Sequence, residues 1–431
     1  MSASLLVPSS VVAVPLPVPA APAAEPPRTP PPAAAWIARG TPAYARVSWG
    51  FFFVGFATFA LVYCVQPVMP EFAASFGASP AGSSLALSLT TGFLAFSILI
   101  SGAVSQAIGR RGLILGSMAL GAGLNVAAGL SPSWHGLLAA RALEGLALGG
   151  VPAVAMTYLA EEIEPKSLGR AMGLYIAGSA FGGLMGRVGM GLLNELVSWR
   201  GAMVVLGALC LICAALAWRL LPASRNFTAQ KGLRFSHNLR AWRSLLRDPA
   251  LTPLFAIGFV LTGVYVTIYN YAGFRLAEAP FDLGGGVISL IFLCVVFGIV
   301  SSMVSGALME RFGKRASLLG GFALILAGVA LTAPPSLAAI VAGIACVTAG
   351  YFIAHPVASS MIGPIAGPAK AHAASLYLLF YYVGSSVVGS VGGWFWEHGG
   401  WGAVALGAGA LSAAGLGAAL VATAPAAQGR A

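Results

Sequence analysis

Gly306-Ala307-Leu308-Met309-Glu310-Arg311-Phe312-Gly313-Lys314-Arg315 lies between two long apolar segments, and a weaker copy stands 204 positions earlier, at residues 102–111. The copies share two glycines and a basic pair, which are Gly102, Gly109, Arg110 and Arg111 in the first and Gly306, Gly313, Lys314 and Arg315 in the second. A repeat at this distance in an apolar chain indicates that one half of the molecule was duplicated.

The repeated stretch resembles the signature loop of the major facilitator superfamily, G-x-x-x-D-R-x-G-R-R. In the second copy Glu310 takes the place of the acid and Arg311 follows it, whereas Gln106 and Ala107 replace both in the first. In that family the acid helps to lock the cytoplasmic side of the protein shut. The resemblance therefore implies a conformational lock at the two copies, in which Glu310 pairs with a neighbouring cation or caps a helix N-terminus.

The composition is that of a membrane protein. Hydrophobic residues make up 58% of the chain and charged residues only 8%, against about 25% charged residues in a soluble protein. All five cysteines fall in apolar segments, and we interpret Cys210 and Cys213 as two small apolar residues. The sequence contains no metal-ligand spacing, phosphate-binding loop or other catalytic module. We therefore expect no metal, no cofactor and no enzymatic activity.

Twelve apolar stretches of about 20 residues follow position 47, and each is long enough to span a bilayer. They cover residues 48–68, 82–106, 112–131, 134–158, 167–193, 200–221, 252–274, 284–309, 315–333, 336–358, 371–395 and 401–423. Together with the repeat, they predict an all-α membrane protein with twelve transmembrane helices in two pseudo-symmetric six-helix bundles, the major facilitator fold.

The remaining segments predict the domain boundaries. Residues 1–46 begin with ten prolines in 32 positions and read as a disordered arm. The basic linker 222–250 separates the bundle at 47–221 from the bundle at 251–424, and residues 425–431 form a tail. Within the linker, Phe235, Leu239, Trp242 and Leu246 fall at helical spacing, which favours a helix on the inner leaflet over a solvated basic linker.

The distribution of lysine and arginine predicts the orientation. If both ends are cytoplasmic, 19 of the 23 basic residues lie on the cytoplasmic side and only Arg200 and Arg275 on the other. The last two, Arg141 and Arg187, lie within spans. The net charge of +11 is thus a topology signal that requires no nucleic acid.

Arg141 and Glu144 are buried charges of the fourth span. A charge at that depth costs about 2.5–3.5 kcal/mol on insertion scales, so it should face the bundle interior or a cavity. The two residues are three positions apart and can neutralise each other on one helical face. The segment resembles the family's R-x-x-Q-G motif, which is linked to proton coupling, and Glu144 adds a titratable group. The alternative is an ion pair with a purely structural role.

Arg187 is the other cation within a span, in a glycine-rich fifth helix that resembles that of drug–proton antiporters but lacks their Gly-Pro pair. Three interpretations are open. Arg187 binds an anionic substrate, pairs with Glu144 across helices, or extends outward to the membrane surface. With Arg141 and Glu144 it completes the candidate proton-coupling set.

Aromatic and amide residues indicate a substrate cavity. The first, fourth, seventh and tenth helices line the cavity in the superfamily, so the resemblance implies substrate contacts at residues of those helices. These candidates are Tyr63, Gln66, Tyr265, Asn270 and Tyr351. Alternatively, several of them belong to the interfacial aromatic belt.

The resemblance covers residues 47–423. The run 173–187, with residues 63–67 and 221–225, resembles the bacterial YnfM-type branch of inner-membrane efflux transporters. It implies a monomeric, multi-pass inner-membrane secondary transporter, with both ends cytoplasmic, that exports a small organic compound in exchange for protons. Its expected partners are that substrate, protons and the lipid bilayer, with no nucleic acid. An importer or facilitator on the same fold, and a membrane receptor or scaffold without flux, are the alternatives.

Overall fold

The computed structural model describes residues 36–227 and 235–424, and almost all of them are helical. Most of the predicted arm, part of the predicted linker and the predicted tail lie outside the described residues. The first half contains helices α1 (Pro42–Tyr63), α2 (Met69–Phe76), α3 (Pro80–Ile108), α4 (Arg110–Leu130), α5 (Trp134–Leu148), α6 (Gly150–Glu162) and α7 (Pro165–Leu220). The second contains α8 (Phe235–Leu245), α9 (Thr252–Ala277), α10 (Gly285–Ser289), α11 (Val295–Leu331), α12 (Leu337–Ala366) and α13 (Lys370–Ala422).

Capping residues set the starts of several helices. The side chains of Thr41, Ser79 and Ser133 each accept a hydrogen bond from a backbone N–H three residues later, which satisfies a donor that has no partner inside the helix. A proline occupies the first turn of α1, α3 and α7, where its missing N–H costs nothing. These local signals explain why the spans begin near the predicted positions.

Eight helical stretches of the described chain are long and apolar enough to cross a membrane. Four breaks divide three of these stretches further, at Ser198, at Gly313, at residues 367–369 and at residues 399–400. The division yields the twelve spans that the sequence predicts. The described residues form no β-sheet. Their β-type pairing is limited to an isolated bridge between Ile37 and Ile163.

Both copies of the repeated loop turn on a glycine with left-handed backbone. Gly109 separates α3 from α4 with φ of 87°, and Gly313 breaks α11 with φ of 79°. A side chain at either position would be strained. The second glycine of each loop copy is therefore the residue that lets the chain reverse between two adjacent spans.

The two ends of the bundles differ in how the halves meet. We call the end that contains Gly109, Gly313 and residues 367–369 the linker side, and the end that contains residues 77–79 and 278–284 the far side. Four hydrogen bonds join described residues of the two halves, and they link Gln66 to Asn270, Ala81 to Glu397, Ser88 to Ser386, and Glu195 to Gly286. All four lie in the middle or on the far side. The halves are thus closed against each other there.

Two of these bonds are reciprocal. Glu397 of the second half accepts a hydrogen bond from the N–H of Ala81 at the start of α3, with an N–O distance of 3.3 Å. Glu195 of the first half accepts one from the N–H of Gly286 at the start of α10, at 2.6 Å. Each carboxylate meets the positive end of a helix in the opposite half. We call this pair of contacts the far-side latch; no sequence pattern singled it out.

The structure departs from the predicted boundary of the arm and places a helix within the predicted linker. Helix α1 begins at Pro42, inside the segment assigned to the arm, and Ile37 before it exchanges backbone hydrogen bonds with the chain around Ile163. The linker contains α8, whose Trp242 is buried against His372 at the start of α13. The helix itself agrees with the predicted spacing. Its apolar side packs in part on the second bundle, while Leu239 remains exposed.

Candidate transport site

Arg141 joins three helices of the first bundle. Its Nη1 donates to Glu144 Oε2 over 2.6 Å, and neither side chain has any exposed surface. Its Nε donates to the carbonyl of Ala86 on α3, at 3.1 Å, while Nη1 and Nη2 donate to the last carbonyls of α1, those of Leu61 and Val62, at 3.1 and 2.9 Å. The i,i+3 pair expected from the sequence is therefore present, within a larger set of contacts.

Glu144 is less completely bonded than its partner. Its Oε1 is buried and has no hydrogen-bond partner. On the other side of the pair, Arg141 Nη1 contacts Asn125 Oδ1 at 3.4 Å, and Asn125 Nδ2 donates to the carbonyl of Met203 at 2.8 Å. A buried carboxylate oxygen without a donor is costly. The carboxyl of Glu144 thus combines one strong ionic contact with one unbonded oxygen.

Arg187 lies inside the protein, with 4% of its surface exposed. Its Nε donates to Gln66 Oε1 and its Nη1 to the carbonyl of Gly183, at 2.6 Å for the latter. The guanidinium lies 4.1 Å from the ring centre of Tyr63 and 5.6 Å from that of Phe292. Among the described residues no bond joins it to Glu144, and its side chain is buried inside the protein. In this conformation Gln66 and Tyr63 hold the side chain inward, an arrangement that supports neither pairing with Glu144 nor an outward course.

Gln66 connects the two halves at the centre of the molecule. Its Nε2 donates to Asn270 Oδ1 over 2.7 Å, and both residues are buried. They are 204 positions apart, the same distance that separates the two loop copies, so they occupy equivalent places in the two halves. The remaining amide donor of Asn270, Nδ2, is buried without a partner. The bond between Gln66 and Asn270 therefore lies where the repeat would place its symmetry axis.

Aromatic side chains of the second bundle extend from Arg187 as a continuous wall. Phe292 stacks on Tyr269 at 5.3 Å between ring centres, Tyr269 meets Tyr265 at 4.9 Å, and Tyr265 stacks on Tyr351 at 4.5 Å. We call these four residues the aromatic wall. All five candidate cavity residues, Tyr63, Gln66, Tyr265, Asn270 and Tyr351, are thus buried and lie in one connected region.

Sequence reasoning missed three parts of this region. Tyr381 hydrogen-bonds the hydroxyl of Tyr351, Phe292 faces Arg187, and Asn125 faces Arg141. Asn125 is a buried amide within an apolar span, which is a signal that could have been used. Phe292 gave no signal, because a phenylalanine in an apolar span is unremarkable.

The first copy of the repeated loop is the more firmly held. Arg110 binds Glu161 through two hydrogen bonds, of 2.8 and 3.2 Å. Arg111 donates to the carbonyls of Trp218 and Leu221 at the end of α7, at 2.7 and 2.8 Å. Glu161 on α6 therefore supplies the acid that the loop itself lacks at Gln106.

The second copy is mostly exposed. Glu310, Arg311 and Lys314 have solvent-accessible side chains, and Glu310 makes no ion pair or hydrogen bond with its side chain within the described part of the chain. Arg315 donates to the carbonyl of Thr423, at 3.3 Å, and the guanidinium of Arg311 lies 5.2 Å from the ring centre of Phe312. The expected pairing of Glu310 is not formed between described residues in this conformation, in which the halves share no hydrogen bond on the linker side; it stays a prediction for the state that is closed there.

The fold and this site define a multi-pass membrane transporter built from two related helical bundles. The family model of the Major Facilitator Superfamily matches residues 51–353, and the chain belongs to that superfamily.

Close relatives agree with this assignment. The chain is 43% identical over 362 residues to the uncharacterized MFS-type transporter YybF of Bacillus subtilis, covering 84% of this chain and 89% of YybF. It is 41% identical over 369 residues to the inner membrane transport protein YnfM of Escherichia coli, covering 86% and 88%. These relatives confirm the predicted resemblance to the YnfM-type branch.

Solved structures agree on the fold. The nucleoside transporter NupG superposes with a TM-score of 0.72 at 14% identity, covering 88% of this chain and all of NupG. A bacterial homologue of the lysosomal transporter Spinster, in an inward-facing and occupied conformation, superposes with a TM-score of 0.66 at 16% identity, covering 89% and 96%. The twelve-helix architecture is thus shared with proteins of very different sequence.

Proposed function

We propose that the protein is a proton-coupled secondary transporter of the inner membrane that exports a small organic compound by alternating access. The observation that supports proton coupling is Glu144, a fully buried carboxyl with one oxygen bonded to Arg141 and the other unbonded. Inner-membrane placement draws on the printed name of YnfM. The linker side is taken as cytoplasmic from the distribution of basic residues.

The end of α1 connects the proposed proton site to the proposed substrate site. Arg141 holds the carbonyls of Leu61 and Val62, and the next residue, Tyr63, lies against Arg187. When Glu144 binds a proton, its attraction for Arg141 weakens, and Arg141 is free to shift its hold on the last turn of α1. That turn carries Tyr63 toward or away from Arg187. Proton binding and substrate binding would thereby bias the same element.

Flux measurements in proteoliposomes test this proposal. A growth screen of a deletion strain against an overexpressing strain first identifies an exported compound. We then expect Glu144→Gln to abolish transport driven by an imposed pH gradient while sparing counterflow. The reason is that the neutral amide cannot bind and release a proton as a carboxyl does. The matched control is Glu278→Gln, an exposed acid on the far side, which should respond to the pH gradient like the wild type.

A purely structural ion pair makes the opposite prediction. Glu144→Gln would then lower the amount of folded protein, and the surviving protein would still couple transport to the pH gradient. Equal amounts of folded protein in each vesicle preparation separate the two outcomes, and a wild-type response in the glutamine variant contradicts the proton-site proposal.

Two other functions make different predictions. An importer or facilitator on the same fold would move the compound inward, which uptake in right-side-out and everted vesicles distinguishes. A receptor or scaffold would give no flux in either orientation. The buried polar connection between the two halves, from Arg187 through Gln66 to Asn270, favours transport over the scaffold, because an ionisable side chain inside a membrane commonly marks a substrate or ion pathway.

A further inference from the structure

Arg187 is a buried cation without a counter-ion. The ion pairs between described residues join Arg110 to Glu161 and Arg141 to Glu144, so neither includes Arg187. Its contacts are the neutral amide of Gln66, one backbone carbonyl and two aromatic rings. An uncompensated charge in a membrane interior is costly, and where it occurs it commonly marks a substrate or ion pathway.

Two hydrogen-bond donors are open on either side of Gln66. Arg187 Nη2 makes no hydrogen bond within the described residues, and Asn270 Nδ2 is buried without a partner. Gln66 bonds to both residues, so the two open donors lie within the reach of one side chain. In this closed conformation the carbonyl of Gln66 occupies the position on Arg187 that an anion would take. An acceptor with two oxygens would satisfy the guanidinium more fully than one amide does.

Aromatic surfaces border the same place. Tyr63 lies 4.1 Å from the guanidinium and Phe292 lies 5.6 Å from it, and the aromatic wall continues from Phe292 to Tyr351. A ligand whose charge binds Arg187 would place the rest of its body along these rings. Flat apolar groups pack well against such faces.

From this combination we infer that the transported compound is an organic anion, in which a carboxylate binds Arg187 and Asn270 and a flat apolar body lies along the aromatic wall. The inference deepens the proposed function and rests on it, because it assigns the substrate class of the same site. Gln66 acts as the stand-in acceptor that holds Arg187 when the site is empty of substrate.

Binding to the purified full-length protein in detergent tests this inference without a pH gradient or flux. The probes are benzoate, phenylacetate and naphthoate, their neutral amides, the matching amines, and acetate as an anion without an aromatic body, each up to about 10 mM. We expect the aromatic carboxylates to bind, measured by titration calorimetry, and the amides, amines and acetate to bind at least tenfold more weakly.

Variants assign the binding to the site. Arg187→Gln should weaken carboxylate binding at least tenfold, and Arg187→Lys should restore part of it, because lysine keeps the charge but lacks the planar fork. Asn270→Asp has nearly the same shape and gives Arg187 a nearby negative charge, so it should keep the fold and lose carboxylate binding. The control Arg219→Gln makes the same change at an exposed position and should bind as the wild type does.

Several outcomes overturn the inference. These are binding by amines or amides in preference to carboxylates, carboxylate binding that is unchanged in folded Arg187→Gln and Asn270→Asp, and absence of binding by every carboxylate. Failure here is distinct from failure of the proposed function, because a proton-coupled exporter of cations would fail this test and still lose coupling in Glu144→Gln.

Discussion

At the scale of single residues, Arg141 shows how one side chain can hold a membrane bundle together. The carbonyls of Leu61 and Val62 close α1, where the helix no longer supplies N–H partners and its dipole is negative. Arg141 satisfies both of them, and it also satisfies Ala86 on α3. Lipid offers no water to replace such bonds. Arg141 therefore has a structural role whether or not its partner Glu144 exchanges protons.

We predict that Arg141→Lys lowers the stability of the protein. Lysine keeps the charge beside Glu144 but cannot reach the three carbonyls at once. The carbonyl of Ala86 keeps its hydrogen bond from Thr90 Oγ1, so the loss falls on the end of α1, where an unbonded buried carbonyl costs about 1–3 kcal/mol. Thermal unfolding of the detergent-purified protein should show a clear drop in Tm. The exposed Arg219→Lys should leave Tm unchanged, and an unchanged Tm in Arg141→Lys would contradict the role assigned to Arg141.

At the scale of helices, the far-side latch ties the opening of the two bundles to two surface carboxylates. Glu195 and Glu397 each bond to the first turn of a helix in the other half. A charge in that position contributes about 0.3–1 kcal/mol in an exposed setting. Because the two contacts are reciprocal, both must break when the far side opens. Their sum is of the order by which two states of a transporter differ in free energy.

We predict that the double variant Glu195→Gln with Glu397→Gln populates the state that is open on the far side. The amide loses the charge that interacts with the helix N-terminus. The reporter is a cysteine at Ser289, a buried far-side residue beside Gly191, in a background without the five native cysteines. Its labelling by an impermeant thiol reagent should accelerate in the double variant.

The control for the latch is Glu278→Gln, which changes an exposed far-side acid that binds neither helix start. In this control, the labelling rate at position 289 should equal the rate in the protein that carries Glu195 and Glu397. Equal labelling rates in the control and the double variant would show that the two carboxylates do not hold the far side closed.

At the scale of the whole molecule, the predicted features are those that depend on sequence separation alone. The 204-residue repeat predicts the two bundles, and Arg141 with Glu144 is predicted because three positions along a helix fix their proximity. The contact between Gln66 and Asn270 required knowledge of how the bundles face each other. The latch required knowledge of which side is closed. Such contacts form in one conformational state and break in another. A single sequence encodes both states, so it does not indicate which contacts are formed in the state described.

Orientation in the membrane remains a prediction, and it has a direct test. A cysteine at Gln230, in the linker, should resist an impermeant thiol reagent in intact cells, because the linker is expected in the cytoplasm. A cysteine at the exposed Glu278 should react readily in the same cysteine-free background. The reverse pattern, with labelling at position 230 and protection at 278, would require the opposite orientation.

The last prediction concerns the state opposite to the one described. Here the far side is closed, and Glu310 on the linker side is exposed and has no side-chain bond to another described residue. Alternating access requires a second state in which the linker side closes, and we predict that Glu310 binds the cation or helix N-terminus that its motif implies in that state. Glu310→Gln should therefore leave the present state untouched and remove a charge-assisted bond of about 1.5–3 kcal/mol from the other. The population should shift tenfold or more toward the present state.

Distances between spin labels measure that shift. Labels at Arg170 and Lys370, which are exposed on the linker side of the first and second halves, should report a short and a long separation in the wild type. In Glu310→Gln the fraction of molecules with the short separation should decrease. Transport should slow because the return to the state closed on the linker side is disfavoured. Glu278→Gln should keep both populations. If the distance distribution of Glu310→Gln matches that of the wild type, Glu310 forms no lock, and closure of the linker side must depend on other residues, with Arg110 and Glu161 the next pair to test.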